Sequence, residues 1–252
     1  MLQEGSPCYP PGVIDFSNWD PWSVRNQVIS DGDSPAPRTR GDIDAMHAVY
    51  EAGLVFMGDM DIPTIDWRNY LEDELDMHNS HQSFAARQRI RDFKGDSDNQ
   101  VIWFTDVVEG QSEYDQTPEA FEVIDEWMTN IRNNPAGGVA GNKPVRAVDR
   151  CFDASGVEIA AGDHVWDGIL DKEPPGACTE TFPLYSTSRI VAGGPFKGSI
   201  YKCQLKPVAE AVADGTYGDW EPTVEEQAVL EQIFPEGVCD FSAPDIGLPP
   251  GW

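Results

Sequence analysis

The sequence predicts an α/β fold with a parallel sheet, followed by an irregular C-terminal region tied by disulfides. Two observations support this prediction. Strand and helix patterns alternate between residues 42 and 135, and such alternation is typical of parallel strands joined by crossover helices. After about residue 136 the sequence changes to short apolar pieces broken by Gly and Pro, and this part contains four of the five cysteines.

The first patterned segments follow an irregular start. Residues 1–41 are rich in Pro, Gly, Asp and Ser and predict an irregular N-terminal segment. Asp42 is placed to cap a helix, and Gly53 is placed to end it. Ile62–Trp67 then predicts a short strand with a Pro at its edge.

A second helix, a second strand and a third helix come next. Ser80 or Asn79 is placed to cap a helix that runs to about Phe93. Gln100–Thr105 is β-branched and aromatic and is the strongest strand pattern in the chain. Thr117 and the following Pro open a helix. Its predicted apolar face consists of Phe121, Ile124, Met128 and Ile131.

The remaining sequence has a different composition. Residues 136–252 are rich in Gly and Pro, and their last predicted helix begins at Thr223, which forms a capping box with Glu226. We therefore divide the chain into an irregular N-terminal segment (1–41), an α/β core portion (42–135) and a cysteine-containing C-terminal region (136–252).

The composition excludes several classes of partner. The 252 residues carry 44 acidic and 17 basic side chains, for a net charge of −27. A surface this acidic repels nucleic acid and anionic lipid, so we expect neither as a partner. An apolar run of about 18 residues, the length that spans a bilayer, is absent, and the first residues do not have the pattern of a signal peptide.

The cysteines predict disulfides. Cys151, Cys178, Cys203 and Cys239 are widely spaced in Gly- and Pro-rich sequence and form no CxxC pair. This spacing disfavours a zinc ribbon and indicates two disulfides in an oxidising compartment, with the three possible pairings left open. Cys8 is left over. The alternative is that all five cysteines are buried free thiols.

Carboxylates and histidines cluster after the first predicted strand. Asp73, Asp76, His78 and His81 lie within about ten residues. In hydrolases a histidine takes the proton of a nucleophile, and a carboxylate orients that histidine and stabilises its charged form. These four residues are therefore candidate catalytic residues. The alternative is that Glu72–Asp76 is a solvated acidic turn and the histidines cap the next helix.

Other kinds of chemistry find little support in the sequence. No GxSxG motif is present, so the chain contains no recognisable nucleophilic serine. It also lacks a phosphate loop and a dinucleotide fingerprint, and we expect no cofactor. Asp96 and Asp98, or Asp31 and Asp33, offer oxygens to Ca²⁺, but the spacing of an EF-hand is missing and we expect no metal site.

Basic residues are scarce, so the arginines of the second predicted helix are informative. Arg87 and Arg91 lie four positions apart and share a helix face, while Arg89 points away. Arg87 and Arg91 are candidates for binding an anionic substrate. The alternative is that they pair with nearby acids, such as Asp92 and the run Glu72–Asp76.

Most of the chain from about Arg40 resembles a family of large, secreted bacterial proteins with an α/β-hydrolase-like core. The matching positions are Tyr50, Gly53, Pro63–Arg68, Tyr70, Asp73, Asp76–His78, Phe84 and Arg87. The C-terminal run from RCFDASG to FPEGVCDFS looks like the end of that family, and FPEGVCDFS is also similar to the tail of tannase and feruloyl esterase enzymes.

The resemblance implies a partial α/β-hydrolase-like sheet, with the nucleophilic serine in an N-terminal half that lies outside this chain. It implies an ester substrate and a secreted or periplasmic location, with Asp73 or Asp76 as the triad acid and His78 as the base. The alternative from another class is a non-catalytic extracellular binding or structural module.

Overall fold

The computed structural model describes residues 41–72, 80–107, 115–170, 174–191, 193–218 and 220–252, without the side chains of Ser188 and Val191. The chain divides into two compact units, Met1–Asp42 and Ile43–Trp252. The second unit contains all helices and strands of the described residues.

The main sheet has the order β1-β2-β3-β4. Strand β1 (Thr64–Asn69) pairs in parallel with β2 (Gln100–Thr105), and β3 (Arg150–Phe152) pairs in parallel with the other edge of β2. Strand β4 (Glu158–Ala161) is antiparallel to β3. The predicted α/β fold with a parallel sheet is therefore confirmed, with one antiparallel strand added at its edge. The boundary expected near residue 136 falls between β2 and β3, which are neighbours in this sheet.

Three helices lie in the first half of the second unit: α1 (Ile43–Glu51), α2 (His81–Lys94) and α3 (Thr117–Asn133). Helix α2 connects β1 to β2, and α3 lies between β2 and β3, as expected for crossover connections of parallel strands. The later helices are α4 (Ala177–Thr181), α5 (Ser188–Val191), α6 (Val208–Ala213) and α7 (Val224–Ile233). Across the described ranges, every helix is too short or too polar to cross a lipid bilayer.

Strand β2 is buried along its whole length, because both faces of the sheet are covered. Ile102 and Phe104 belong to one apolar cluster, which includes Phe84 of α2. Val101 and Trp103 point to the opposite face and belong to a second cluster, with side chains of α3. The alternation of side chains along β2 thus places α2 and α3 on opposite faces of the sheet.

The apolar face predicted for α3 is buried only in part: Ile131 packs against the second cluster, whereas Phe121 and Met128 are exposed. Phe121 is 72% exposed, whereas Val123 and Trp127 are fully buried. Trp127 fills the space over the sheet, and its Nε1 donates to the carbonyl of Val139 at 2.8 Å. The large indole therefore sets the rotation of the helix, and Met128 is left largely exposed.

The start of α2 also differs from the expectation. Ser80 precedes the helix, but its φ of −77° and ψ of −13° are already helical, and its side chain makes no capping bond. Its backbone N–H instead donates to Glu72 Oε1 at 2.6 Å. The capping box at the start of α7 is confirmed, since the side chains and backbone of Thr223 and Glu226 bond reciprocally.

Two disulfides tie the C-terminal region, as the sequence predicts. Cys151 of β3 is bonded to Cys178 of α4. Cys203 is bonded to Cys239, next to the two-stranded antiparallel sheet of β5 (Gln204–Lys206) and β6 (Val238–Asp240). Of the three pairings that the sequence allowed, the structure selects the one that joins the first of these four cysteines to the second and the third to the fourth. Disulfides of this kind are typical of proteins in oxidising compartments.

Candidate active site and cavity

The candidate acid and histidine loop begins at the carboxyl end of β1. Tyr70 continues the strand pairing through its N–H, which donates to the carbonyl of Thr105 at 2.9 Å. Two residues further on, the buried Glu72 bonds to the backbone of Ser80 and so joins the two ends of the loop. Ligands of open α/β sheets bind at the carboxyl ends of the strands, so the loop lies at the edge where a site is expected.

Among the predicted catalytic residues, Asp73, Asp76 and His78 lie outside the described residues. His81, the first residue of α2, is described and is only 3% exposed. The predicted role of all four in catalysis remains a prediction.

The contacts of His81 fix its tautomer. Its Nε2 lies 2.8 Å from the carbonyl oxygen of Phe196, which can only accept a hydrogen bond. In the neutral imidazole the proton is therefore on Nε2, and Nδ1 carries the lone pair. Gln82 Nε2 lies 3.5 Å from this Nδ1, the long limit of a hydrogen bond. The ring of Phe196 also packs edge-on against the imidazole, with centroids 5.1 Å apart.

A cavity of about 370 Å³ lies beside His81. Helix α2 contributes His81, Gln82 and Arg89, while Arg189 and the segment 194–201 form other parts of the wall. Among the residues that the structure describes, no Asp or Glu lines this cavity, although the chain has 44 of them. The wall thus combines a histidine and two guanidinium groups in an otherwise acidic protein.

Arg89 holds the segment 196–198 against α2. Its Nε donates to the carbonyl of Lys197 at 2.8 Å and its Nη2 to that of Gly198 at 3.2 Å. Its Nη1 donates to the carbonyl of Phe56 at 2.9 Å. Gly58 allows the 56–58 segment to approach so closely, because a Cβ at this position would lie 2.1 Å from the carbonyl oxygen of Arg89. Arg89 therefore organises one wall of the cavity.

The two arginines predicted to bind substrate lie elsewhere. Arg87 forms a bidentate ion pair with Asp149, at 2.6 and 2.7 Å, and its Nε donates to Gln100 at 3.3 Å. Arg91 is exposed and its Nε donates to Ser97 at 3.0 Å. Neither lines the cavity, and the partner of Arg87 is distant in sequence and is none of the local acids considered as alternatives.

The carboxylate of Asp245 supports the part of the cavity wall formed by Tyr201. Asp245 accepts hydrogen bonds from the backbone N–H groups of Tyr201, Lys202 and Gly247, at 2.8 to 2.9 Å. Tyr50 donates its hydroxyl proton to the same carboxylate at 3.1 Å. Burial acts to raise the pKa of Asp245, but these hydrogen bonds outweigh it and hold the pKa below its ordinary value. Burial and the bond to Asp245 in turn raise the pKa of the Tyr50 hydroxyl.

We expect Asp245→Asn to destabilise the protein at neutral pH by about 1.5 kcal/mol, the contribution of hydrogen bonds to a charged group. Because the folded pKa of Asp245 is lowered, its stabilising effect is present above the unfolded value of about 3.9. This effect is lost as the pH falls through the folded pKa. Urea unfolding of both proteins from pH 7 downwards measures the difference.

The control for this experiment is Asp125→Asn, which changes an exposed carboxylate of α3. Its unfolding curve should follow that of the unaltered protein at every pH. A difference between Asp245→Asn and the unaltered protein that stays constant into strong acid would contradict the assigned role of the carboxylate.

Metal ligands are not grouped in the part of the chain that the structure covers. There, no cluster of three or more His, Cys, Asp or Glu side chains is placed to hold an ion. Asp96 accepts from the backbone N–H of Asp98 at 3.1 Å in a turn, and it lies 3.6 Å from Lys94. Asp31 and Asp33, the other pair considered, lie outside the described residues.

Sequence patterns did not single out Arg89, Arg189 or the segment 194–201 as parts of a site. Helical spacing separates Arg89 from Arg87 and Arg91, and its bond to Lys197 spans 108 positions. The one local signal is the scarcity of basic residues, which draws attention to each arginine in turn.

Comparison with known proteins gives one match. No curated protein and no solved structure matches the chain. A family model described as a tannase-like family of unknown function matches residues 26–249. This range covers both the loop after β1 and the C-terminal disulfide region, in agreement with the family resemblance read from the sequence. The chain thus belongs to the tannase-like family of unknown function.

Proposed function

We propose that this chain supplies the histidine and carboxylate part of a secreted ester hydrolase whose nucleophilic serine lies on polypeptide outside these 252 residues. The reaction is acyl transfer: the serine attacks the ester carbonyl, and a histidine takes the proton of the serine and returns it to the leaving alcohol. His81 is the base among the described residues, the Phe196 carbonyl orients its ring, and the negative charge of Asp73 or Asp76 stabilises the imidazolium that forms.

The proposal rests on the hydrogen bonding of His81 and on its position in the cavity wall. A general base needs a fixed orientation and a free lone pair. The Phe196 carbonyl fixes the orientation of the ring by accepting a hydrogen bond from Nε2. The lone pair of the neutral imidazole is then on Nδ1. The ring also lines a cavity in which a small substrate can be held. These features are what a histidine needs in order to accept a proton from an incoming nucleophile.

The position of the loop supports the same reaction. Hydrolases with open parallel sheets carry their catalytic residues on loops at the carboxyl ends of strands. Here the bond between Glu72 and Ser80 closes the loop that follows β1, and His81 comes directly after it. Membership of a tannase-like family agrees with an ester substrate, and the two disulfides agree with secretion.

The test begins with the genomic sequence upstream of Met1. We expect an in-frame continuation that encodes a signal peptide and a GxSxG motif. The 252-residue chain alone should not hydrolyse p-nitrophenyl acetate, and the joined polypeptide should. His81→Gln in that polypeptide should lower kcat about 100-fold or more, the usual contribution of a general base. His78→Gln is measured in parallel, since His78 is the other candidate base.

The matched control is His164→Gln, because the side chain of His164 is 84% exposed and contacts only Asp167 among the described residues. This variant should keep full activity. Stop codons upstream of Met1 would instead favour a non-catalytic extracellular module. Activity of the isolated chain, or full activity of both His81→Gln and His78→Gln, would contradict the proposal.

A further inference from the structure

The cavity beside His81 carries positive charge, whereas the protein as a whole is strongly acidic. Acidic residues outnumber basic ones by 44 to 17, yet the described part of the lining contains Arg89 and Arg189 and no acid. An arginine in so acidic a chain readily finds a carboxylate, as Arg87, Arg146 and Arg150 do. Arg89 and Arg189 form no ion pair with any described residue and line the same cavity, so the placement of these two charges together needs an explanation.

Arg89 is the better ordered of the two. It is half-buried, and its bonds to three backbone carbonyls hold the guanidinium in place without neutralising its charge. A guanidinium has five N–H donors. Three are used in these bonds, and the remaining two have no partner among the described residues. A partly buried charge that is held rigidly and left unpaired is prepared to receive an anion.

Arg189 lines the same cavity from the short helix α5. Its Nη2 donates to the carbonyl of Ile200, and its guanidinium lies 5.7 Å from the ring centroid of Phe241. These two contacts orient the planar group while leaving further N–H donors for a ligand. No acidic side chain of the described residues forms an ion pair with it.

The other lining residues indicate the chemistry of the uncharged part of the ligand. Ile190, Pro195, Ile200 and Tyr201 contribute apolar and aromatic surface next to the charged groups. At about 370 Å³ the cavity is near the lower end of the range for small-molecule sites. The combination fits a compact molecule with one anionic end and one apolar end.

We infer that this cavity binds a small organic carboxylate, with the carboxylate on Arg89 and Arg189 and the apolar body against Ile190 and Tyr201. The planar fork of each guanidinium matches a carboxylate in two parallel hydrogen bonds. The inference deepens the proposed function, on which it rests for its biological meaning, because hydrolysis of an ester releases such a carboxylate. The binding itself requires no turnover and no nucleophile.

The test uses benzoate and the full 252-residue chain in isothermal titration calorimetry at low salt. We expect a dissociation constant of about 1 mM or lower, as the size of benzoate allows. Methyl benzoate keeps the ring and lacks the charge, and inorganic phosphate keeps the charge and lacks the ring. Both should bind at least about tenfold more weakly, the loss expected when the charge-assisted bonds or the apolar contacts are missing.

Two variants identify the residues. Arg189→Gln should weaken benzoate binding about tenfold or more without altering the melting temperature, since Arg189 is exposed. Arg89→Gln should weaken it similarly, with its circular dichroism spectrum recorded because Arg89 also holds the cavity wall. The matched control is Arg91→Gln on the same helix, which should bind benzoate like the unaltered chain.

Three results would overturn the inference: no benzoate binding at 10 mM, equal binding of benzoate and methyl benzoate, or phosphate binding as tight as benzoate binding. Benzoate binding that depends on Arg189, in a protein whose joined polypeptide shows no esterase activity, would support the carboxylate site and refute the proposed hydrolase. Esterase activity of the joined polypeptide without benzoate binding would support the proposed hydrolase and refute the carboxylate site.

Discussion

Replacing Asp149 with Ala is expected to lower the free energy of unfolding by about 3–5 kcal/mol, the cost of removing one partner from a buried ion pair. The Arg87 side chain is only 8% exposed and makes a bidentate contact with Asp149. Without that carboxylate a guanidinium charge stays buried and unpaired. The change also removes the acceptor for the backbone N–H of Ile102, which donates to Asp149 at 2.8 Å.

The hydrogen bond from the Ile102 N–H to Asp149 explains why the ion pair between Arg87 and Asp149 matters to the fold. The pairing of β2 with β3 begins at Trp103 and Arg150, one position after Ile102 and Asp149. The Asp149 carboxylate therefore extends the ladder between the strands, while its other bonds attach α2 to the same point. One side chain thus links the sheet to a helix on its face.

Urea unfolding followed by tryptophan fluorescence measures the loss. Arg146→Ala is the matched control, since Arg146 forms ion pairs with Glu122 and Glu126 that are exposed, and such pairs contribute about 1 kcal/mol or less. The double variant Arg87→Met/Asp149→Leu should be more stable than Asp149→Ala, because it leaves no unpaired charge. A loss below about 1 kcal/mol for Asp149→Ala would show that the pair does not hold the sheet to α2.

Removing the disulfide between Cys151 and Cys178 is expected to cost about 3.5 kcal/mol. The bond closes a loop with a sequence separation of 27, and the loss of loop-closure entropy in the unfolded chain accounts for about this amount. Both cysteines are fully buried in the apolar cluster that covers one face of β2. The double variant Cys151→Ala/Cys178→Ala therefore also loses packing between β3 and α4.

The control for this prediction is Cys203→Ala/Cys239→Ala. The sequence separation of that disulfide is 36, so the entropic cost is similar. Its strands lie in the small second sheet, away from β2, so we expect no further loss from the main core. Titration of denatured, unreduced protein should detect one thiol, since four of the five cysteines are paired. Unchanged stability of Cys151→Ala/Cys178→Ala, or five titrating thiols, would contradict this account.

Much of the fold follows from local sequence. The β-branched and aromatic run Gln100–Thr105 is a buried strand in the structure, because such a run fits a sheet covered on both faces. The capping box at Thr223 formed because its two bonds are made within four residues. The disulfides followed from the number and spacing of the cysteines, although not which cysteine pairs with which.

The prediction for α3 shows where local patterns fail. Phe121 and Trp127 both occur on the helix, and the repeat of Phe121, Ile124, Met128 and Ile131 is a regular apolar stripe. The structure buries Trp127 and exposes Phe121, because the space over the sheet and the carbonyl of Val139 suit the indole. The choice between two faces depends on the surface against which the helix packs, and that surface is absent from the helix sequence.

The candidate site divides in the same way. The sequence alone determined that a cluster of carboxylates and histidines follows the first strand, that the arginines alternate along α2, and that cysteines tie the C-terminal region. Only the tertiary structure decided that Arg87 pairs with Asp149 while Arg89 faces a cavity. The reason is physical: helical spacing shows which side chains share a face, whereas the neighbour of each face comes from segments 62 to 108 positions away.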